Sequence, residues 1–380
     1  MFVTRHPWHP GDNLGSSDPH MRLALALARQ VLGRTSPNPS VGAVVARGTT
    51  VLGRGSTAPA GGPHAEVEAL SRAGTAARGA DLYVTLEPCC HHGRTPPCTD
   101  AVIAAGIRKV HVATLDPNPR VAGGGVAALR AAGVAVEIGL GAAAARRLIE
   151  PFRQWVLQGR PLVLAKYAMT LDGRIASAGG DSRWVSGPRA RHLVHQLRDV
   201  SDAILVGSGT VLADDPQLTT RLPKDAAPRH PLRVVVDSGG RLPISCRVFD
   251  PSLDGRTLVA SVRPPATWRR QLEDLGHTVW ELPSDGSGHV SLGHLLARLA
   301  GERDVTSLLV EGGAAILGSC FGMGLIDRVL AFVAPRIIGG RGAPGPVGDP
   351  GRERMTDAWP VARPRFLRVG EDLAIWGALT

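Results

Sequence analysis

The chain has 380 residues, more than one compact core ordinarily uses, so length alone points to two or three domains. Hydrophobic residues at 43% and charged residues at 20% are usual for a globular protein and exclude a disordered or fibrous one. The net charge of +10 rests almost wholly on arginine, but the arginines are scattered and aromatics make up only 4%, which argues for a solvated basic surface rather than a nucleic-acid stripe.

Residues 1–20 are polar, rich in His, Pro, Asp and Gly, and read as a flexible extension without a signal-like apolar core. Residues 21–32 carry apolar side chains at helical spacing and stop at Gly33. After the turn-forming Ser36-Pro37-Asn38-Pro39-Ser40, residues 41–45 and 51–55 flank Arg47-Gly48 as a hairpin.

The next two stretches carry chemistry. Gly62-Pro63-His64-Ala65-Glu66-Val67 opens an apolar-periodic helix, and a strand over 81–86 leads into Glu87-Pro88-Cys89-Cys90-His91-His92-Gly93-Arg94-Thr95-Pro96-Pro97-Cys98. A catalytic zinc takes three protein ligands and leaves a fourth position for water; one imidazole and two thiolates form such a set, here His64, Cys89 and Cys98. Glu66 stands two residues after the histidine, the H-x-E spacing of a carboxylate that shuttles protons without binding the metal. This is the pattern of a nucleobase-type deaminase. Ligands near helix N-termini favour thiolates. Residues two apart do not share a helix face, so metal and substrate must sit end-on at the helix tip. A closed, purely structural Cys₃His site that adds Cys90 is the alternative.

Residues 99–106, 109–115, 126–132 and 134–138 then alternate helix and strand, a three-layer α/β pattern. Gly123-Gly124-Gly125-Val126-Ala127-Ala128 fits a G-x-G-x-x-A dinucleotide fingerprint. It reads as a decoy, because Asp116-Pro117-Asn118-Pro119 separates it from the preceding strand. A helix over 142–158 links to a second region that restarts at Gly159-Arg160-Pro161.

There, strands at 162–168, 202–207, 232–237, 257–262, 278–282, 307–310 and 329–333, with helices at 188–198, 268–275 and 292–299, predict a larger, mostly parallel α/β sheet. Residues 338–354, full of Gly and Pro, predict a mobile loop. Glu311-Gly312-Gly313-Ala314 and Val206-Gly207-Ser208-Gly209-Thr210 each end a strand where a phosphate can approach backbone N–H groups, although tight turns explain either equally well. Arg221 with Arg198 can clamp a phosphate through forked hydrogen bonds, or Asp214-Asp215 through Arg221 can be a turn with a solvated salt bridge. The odd count of cysteines, at 89, 90, 98, 246 and 320, argues against a disulfide framework, and no segment approaches a membrane span; a cytoplasmic location without membrane or nucleic-acid partners is expected.

With both halves in view, the chain resembles the bifunctional riboflavin-biosynthesis enzymes, a pyrimidine deaminase fused to a pyrimidine reductase, over about residues 21–380. The first half carries Ser36-Pro37-Asn38-Pro39-Ser40-Val41-Gly42, His64-Ala65-Glu66-Val67, the cysteine stretch and Asp116-Pro117-Asn118-Pro119. Eight residues separate Cys89 from Cys98, where nucleoside and transfer-RNA deaminases typically use C-x-x-C. The second half carries Lys166 through Gly173, Ser182-Arg183-Trp184, Asp214-Asp215-Pro216, Glu311-Gly312-Gly313 and Gly370-Glu371-Asp372-Leu373.

The resemblance implies a cytidine-deaminase-like three-layer domain over 21–141, a linker helix over 142–158 and a dihydrofolate-reductase-like domain over 159–380. It implies Zn2+ and NADPH as cofactors, a phosphorylated pyrimidine as substrate and association into a homo-oligomer. By it, Asn38 holds the substrate of the first domain, and Ser182, Arg198, Gln217, Arg221 and Glu311 that of the second. Ala168, Trp184, Thr210, Asp214, Ser238 and the run Gly313, Ala314, Ala315, Ile316, Leu317 and Gly318 contact NADPH. The implied chemistry is hydrolytic loss of the 2-amino group from a diaminopyrimidinone ribosyl phosphate, with Glu66 moving the protons, then reduction of the ribosyl chain to ribityl. Cys90, Ala43, Gly124 and Arg183 depart from the family pattern. A nucleoside or nucleic-acid deaminase with an unrelated C-terminal domain, and a reductase whose zinc is only structural, are the competing readings.

Overall fold

In the computed structural model the described residues are 8, 15–92, 96–223 and 227–379. The chain divides into two units, Asp12–Arg160 and Pro161–Thr380, the latter joined by Met1–Gly11.

The first unit opens with α1 (Pro19–Gln30), which starts before the apolar spacing begins because Asp18 caps it: the Asp18 carboxylate accepts the Met21 N–H at 2.8 Å and Pro19 fills the first turn. Then follow β1 (Gly42–Arg47), β2 (Thr50–Ser56), α2 (Ala65–Ala73), β3 (Asp81–Val84), α3 (Cys98–Ala104), β4 (Lys109–Val112), α4 (Gly124–Ala131), β5 (Ala135–Ile138), α5 (Ala142–Leu148) and α6 (Glu150–Gln158). The sheet order is β2-β1-β3-β4-β5, antiparallel about β1 and parallel from β3 to β5. Strand alternation sorts the core into two layers of contact: Ala43, Val45, Leu82 and Val84 pack with residues of α2 and α3, while Val44, Ala46 and Tyr83 pack with α1 and α5. The expected helix over 142–158 is two helices, α5 and α6. Pro151 in the first turn of α6 cannot donate the N–H that a continuous helix needs, and the break falls at Ile149.

The second unit contains β6 (Leu162–Thr170), α7 (Pro188–Val200), β7 (Ala203–Gly207), α8 (Ser208–Asp214), β8 (Leu232–Val236), β9 (Thr257–Ser261), α9 (Ala266–Asp274), β10 (Thr278–Glu281), α10 (Leu292–Arg303), β11 (Ser307–Gly312), α11 (Ala314–Gly322), β12 (Arg328–Ala334), β13 (Val361–Val369) and β14 (Asp372–Leu379). Its sheet runs β10-β9-β8-β7-β11-β6-β12-β14-β13. The ladders from β10 to β12 are parallel, and the last two strands close the sheet antiparallel. This is the dihydrofolate-reductase-like arrangement. The α10 and α11 side chains pack on one face, and those of α7 and α9 on the other.

Three expectations change. The extension over 1–20 falls mostly outside the described residues, but Trp8 is 3% exposed and packs with α7 and β6 of the second unit, and residues 19 and 20 already belong to α1. The loop at 338–354 has no helix or strand, yet it is tied down: Gly339 N–H donates to Asp172, Pro344 O accepts from Ile175 N–H, and Gly348 N–H donates to Ala314 O. The hairpin of β13 and β14 adds strands that the sequence pattern did not single out. No helix among the described residues is long and apolar enough to cross a membrane.

Candidate active sites

The first site forms at two helix tips. His64 is the N-cap of α2, with an extended backbone (φ −75°, ψ 162°) that releases its ring from the helix, and Cys98 is the first residue of α3. Cys89 comes from the loop after β3, and the Cys98 N–H donates to its sulfur at 3.3 Å. His64 Nδ1 lies 3.2 Å from Cys98 Sγ and 3.6 Å from Cys89 Sγ, and the three ligand atoms all lie within 4.8 Å of one another. A tetrahedral zinc with ordinary Zn–N and Zn–S bonds separates N from S by about 3.6 Å, so the donor set fits that ion.

Cys90 is not part of this group. Its sulfur stands 3.0 Å from where a Cβ on Gly124 would be, so two of the departures from the family pattern face each other.

Charges in the site are consistent with a metal. The Cys98 hydrogen bond lowers the Cys89 thiol to about 4 despite the opposing effect of burial, while the same bond and burial raise Cys98, so in the bare protein the pair shares one thiolate. Glu66, in the first turn of α2 and 4% exposed, is pushed up to about 7 by burial, which outweighs the pull of His64.

Glu87 explains why the glycine run at 123–128 is a decoy for phosphate. Its buried carboxylate accepts the N–H groups of Asp116 at 3.1 Å, Gly123 at 3.0 Å and Val126 at 2.9 Å, occupying the N-terminus of α4. A Cβ on Gly125 would fall 2.0 Å from Pro88 O, so that glycine meets a steric need. Asn38 is half-buried in the turn before β1, where its backbone exchanges hydrogen bonds with Thr35. Gly93, Arg94 and Thr95 of the cysteine stretch lie outside the described residues.

Several residues expected to form the second site fall at the carboxyl ends of the parallel strands. Ala168 is on β6, Gly313 follows β11, Thr210 is in α8 after β7, and Ser238 follows β8. A Cβ on Gly313 would stand 3.1 Å from Thr210 Oγ1, so these two strand ends meet. Ser182 Oγ donates to Asp214 at 3.1 Å, and Arg183 donates to the Asp214 carbonyl rather than pointing to water. Trp184 is 59% exposed beneath the Arg191 guanidinium, 4.4 Å away. Gln217 is half-buried beside Leu218. Not every residue of the Gly313–Gly318 run is presented alike: helical rotation turns Leu317 into the core at 2% exposure, and Gly318 sits beneath the Gly348 and Asp349 carbonyls, which leaves 313–316 as the part of the run that is not buried.

The Arg198 fork is committed within the protein. Its Nε and Nη2 donate to the two Glu311 oxygens at 2.7 and 2.9 Å, and Nη1 donates to Thr219 O at 2.9 Å. Burial alone would raise Glu311, but Arg198, with Lys166 Nζ 3.9 Å away, holds it at about 2. Arg221 is exposed; its backbone N–H donates to His195 Nδ1 at 3.2 Å, and burial with two nearby arginines lowers His195 to about 4. Lys166, Glu87 and His195 were not among the predicted site residues. For Lys166 a signal existed: it is one of three lysines in the chain and interrupts an apolar strand, Leu162–Thr170.

The comparisons cover both halves. The family described as cytidine and deoxycytidylate deaminase zinc-binding region matches residues 16–114, and the RibD C-terminal domain matches residues 161–366. The chain is 41% identical to the riboflavin biosynthesis protein RibD of Actinobacillus pleuropneumoniae over 356 residues, 94% of this chain and 93% of that protein. The solved structure of Acinetobacter baumannii RibD, form 1, aligns with a TM-score of 0.83 at 37% identity, covering 95% of this chain and 98% of the other. A Thermotoga maritima structure titled a diaminohydroxyphosphoribosylaminopyrimidine deaminase and 5-amino-6-(5-phosphoribosylamino)uracil reductase aligns with a TM-score of 0.82 at 35% identity, over 95% and 98%. The C-terminal unit is therefore no unrelated addition to a nucleoside deaminase. With a zinc-type His-Cys-Cys centre in one unit and a reductase fold in the other, the chain belongs to the RibD family, the bifunctional deaminase–reductases of riboflavin biosynthesis.

Proposed function

We propose that the first unit deaminates a diaminopyrimidinone ribosyl phosphate and that the second reduces the ribosyl chain of the product to ribityl with NADPH. The observation that carries the first step is the approach of His64, Cys89 and Cys98 within 4.8 Å at the tip of the helix that also holds the buried Glu66. Zinc held there supplies Lewis-acid activation of water. Glu66, poised at about 7, takes a proton from the attacking water and gives it to the departing amine, so that water is consumed and ammonia released.

In the second unit, Glu311 stays ionised and accepts hydrogen bonds from substrate hydroxyls, with Arg198 and Lys166 fixing its position. Ser182, Gln217 and Arg221 complete the substrate side; Ala168, Trp184, Thr210, Asp214, Ser238 and the start of α11 line the coenzyme side. Hydride transfer then needs alignment more than a nucleophile. A cytoplasmic homo-oligomer belongs to the same reading, and sedimentation velocity tests the assembly.

The test follows ammonia release and NADPH oxidation in parallel. Glu66→Ala loses ammonia release by at least about a hundredfold, while NADPH oxidation survives when the deaminated intermediate is supplied. Absence of ammonia from the zinc-loaded wild type sinks the deaminase assignment.

A further inference from the structure

The stretch that carries Gln217 and Arg221 belongs to no helix or strand. Between those two residues Leu218, Thr219 and Thr220 are buried, and Leu218 lies in the left-handed region at φ 55°, a conformation that a branched side chain keeps only where its surroundings enforce it. Buried backbone N–H groups in such a stretch also need acceptors.

Side chains from outside the stretch meet both needs. Leu218 joins Val206, Val211 and Val235 in the core, and Thr219 O accepts from Arg198 Nη1 at 2.9 Å. The next two N–H groups go to imidazoles: Thr220 N–H donates to His230 Nδ1 and Arg221 N–H to His195 Nδ1, each at 3.2 Å. His195 and Arg198 stand three residues apart on α7 and share a face, so that one face holds the stretch at two points. A ring nitrogen accepts only while it carries no proton, so both bonds require a neutral imidazole protonated on Nε2. At His195, burial together with Arg198, Arg221 and His192 outweighs Glu311 and lowers the imidazole to about 4, which leaves it neutral in any ordinary assay.

We propose that His195 and His230 are positioning residues for substrate binding in the second unit: as neutral acceptors they tie down the backbone of Thr220 and Arg221 and so aim the Arg221 guanidinium at the substrate phosphate. The inference rests on the reading of the second unit as a reductase with Arg221 on its substrate side. Arg198 is engaged with Glu311 and Thr219 O, whereas Arg221 is exposed. Its aim therefore depends on the backbone that carries it. Neither histidine touches the reacting atoms; each acts through a peptide N–H.

Steady-state kinetics of the full chain, supplied with the deaminated intermediate and NADPH, compare wild type, His195→Asn and His195→Leu. Asn and Leu have nearly the same shape, but only Asn carries an acceptor, its Oδ1, close to the place of Nδ1. His195→Leu is expected to raise KM for the intermediate about three- to tenfold, the effect of one lost hydrogen bond, with kcat and KM for NADPH unchanged, and His195→Asn is expected to restore most of the wild-type KM. Because His195 acts through Arg221, adding His195→Leu to Arg221→Ala is expected to change KM little further. Equal KM values for the Asn and Leu variants, or a His195→Leu effect that adds in full to that of Arg221→Ala, overturn the proposal. Should His195→Leu not fold, His230→Asn and His230→Leu make the same comparison at Thr220, and equal KM values there overturn it in the same way. A wild type that oxidises no NADPH defeats the reductase reading itself, a result distinct from loss of positioning.

Discussion

Two buried glutamates show how partners, rather than burial, assign chemical roles. Burial raises both Glu66 and Glu311, yet Glu66 comes to about 7 and Glu311 to about 2. Glu311 faces the Arg198 fork and Lys166, whereas at Glu66 a backbone hydrogen bond, His64 and Cys98 offset only part of the desolvation and Cys89 adds to it. One carboxylate can therefore exchange a proton near neutrality and the other remains an acceptor. Cys90 shows the same dependence on neighbours. Adjacent to a ligand in sequence, it turns its sulfur toward Gly124 and away from the metal set. Cys90→Ser is accordingly expected to keep one zinc per chain and its ammonia release, while Cys98→Ser loses the metal; zinc analysis of the two purified variants checks this, and metal loss from Cys90→Ser would restore the closed site. The H-x-E pair and the two ligand cysteines were legible because ligand chemistry restricts residue type and spacing locally. The role of Cys90 was not, because it depends on a glycine that the fold brings to it from 34 positions away.

At the level of elements, the zinc site depends on how closely α2 rides on the hairpin. A Cβ on Gly55 of β2 would fall 2.3 Å from Ala65 O and 2.7 Å from Ala69 N, against the very turn that holds His64 and Glu66. Gly55→Ala must push α2 outward, costing about 1–3 kcal/mol as overpacking does; thermal unfolding and zinc titration should both register the change, and an unaltered zinc affinity would show that the ligands do not depend on this contact. Periodicity located most elements but misjudged two places. Pro151 marked a break in the run over 142–158, where helical residues stand on both sides of it. Pro364 interrupts β13, and a proline ordinarily argues against a strand; here β13 is the sheet edge, and its pairing slips between Ala362 and Arg365, where no ladder hydrogen bond from a proline is required.

At the scale of the molecule, each unit has its own sheet and its own core, five strands with the His-Cys-Cys set in one and nine strands with the proposed coenzyme residues in the other. Calorimetry of the full chain is expected to resolve two transitions. A zinc chelator lowers one of them, and NADPH at a hundred times its Kd raises the other by about 2.7 kcal/mol in stability. A single transition that responds to both ligands would show that the units unfold together.

The sequence by itself determined the His-Cys-Cys set, the H-x-E spacing beside it and the alternation that builds both sheets, because each is written in residue type, spacing or period over short distances. Only the tertiary structure decided that Arg198 is spent on Glu311, 113 residues away, that Lys166 joins them, and that Glu87 fills the helix end its glycines leave open. Those facts are meetings between distant segments and the burial that follows from them. No local pattern contains them, because they arise when the strands take their places beside one another.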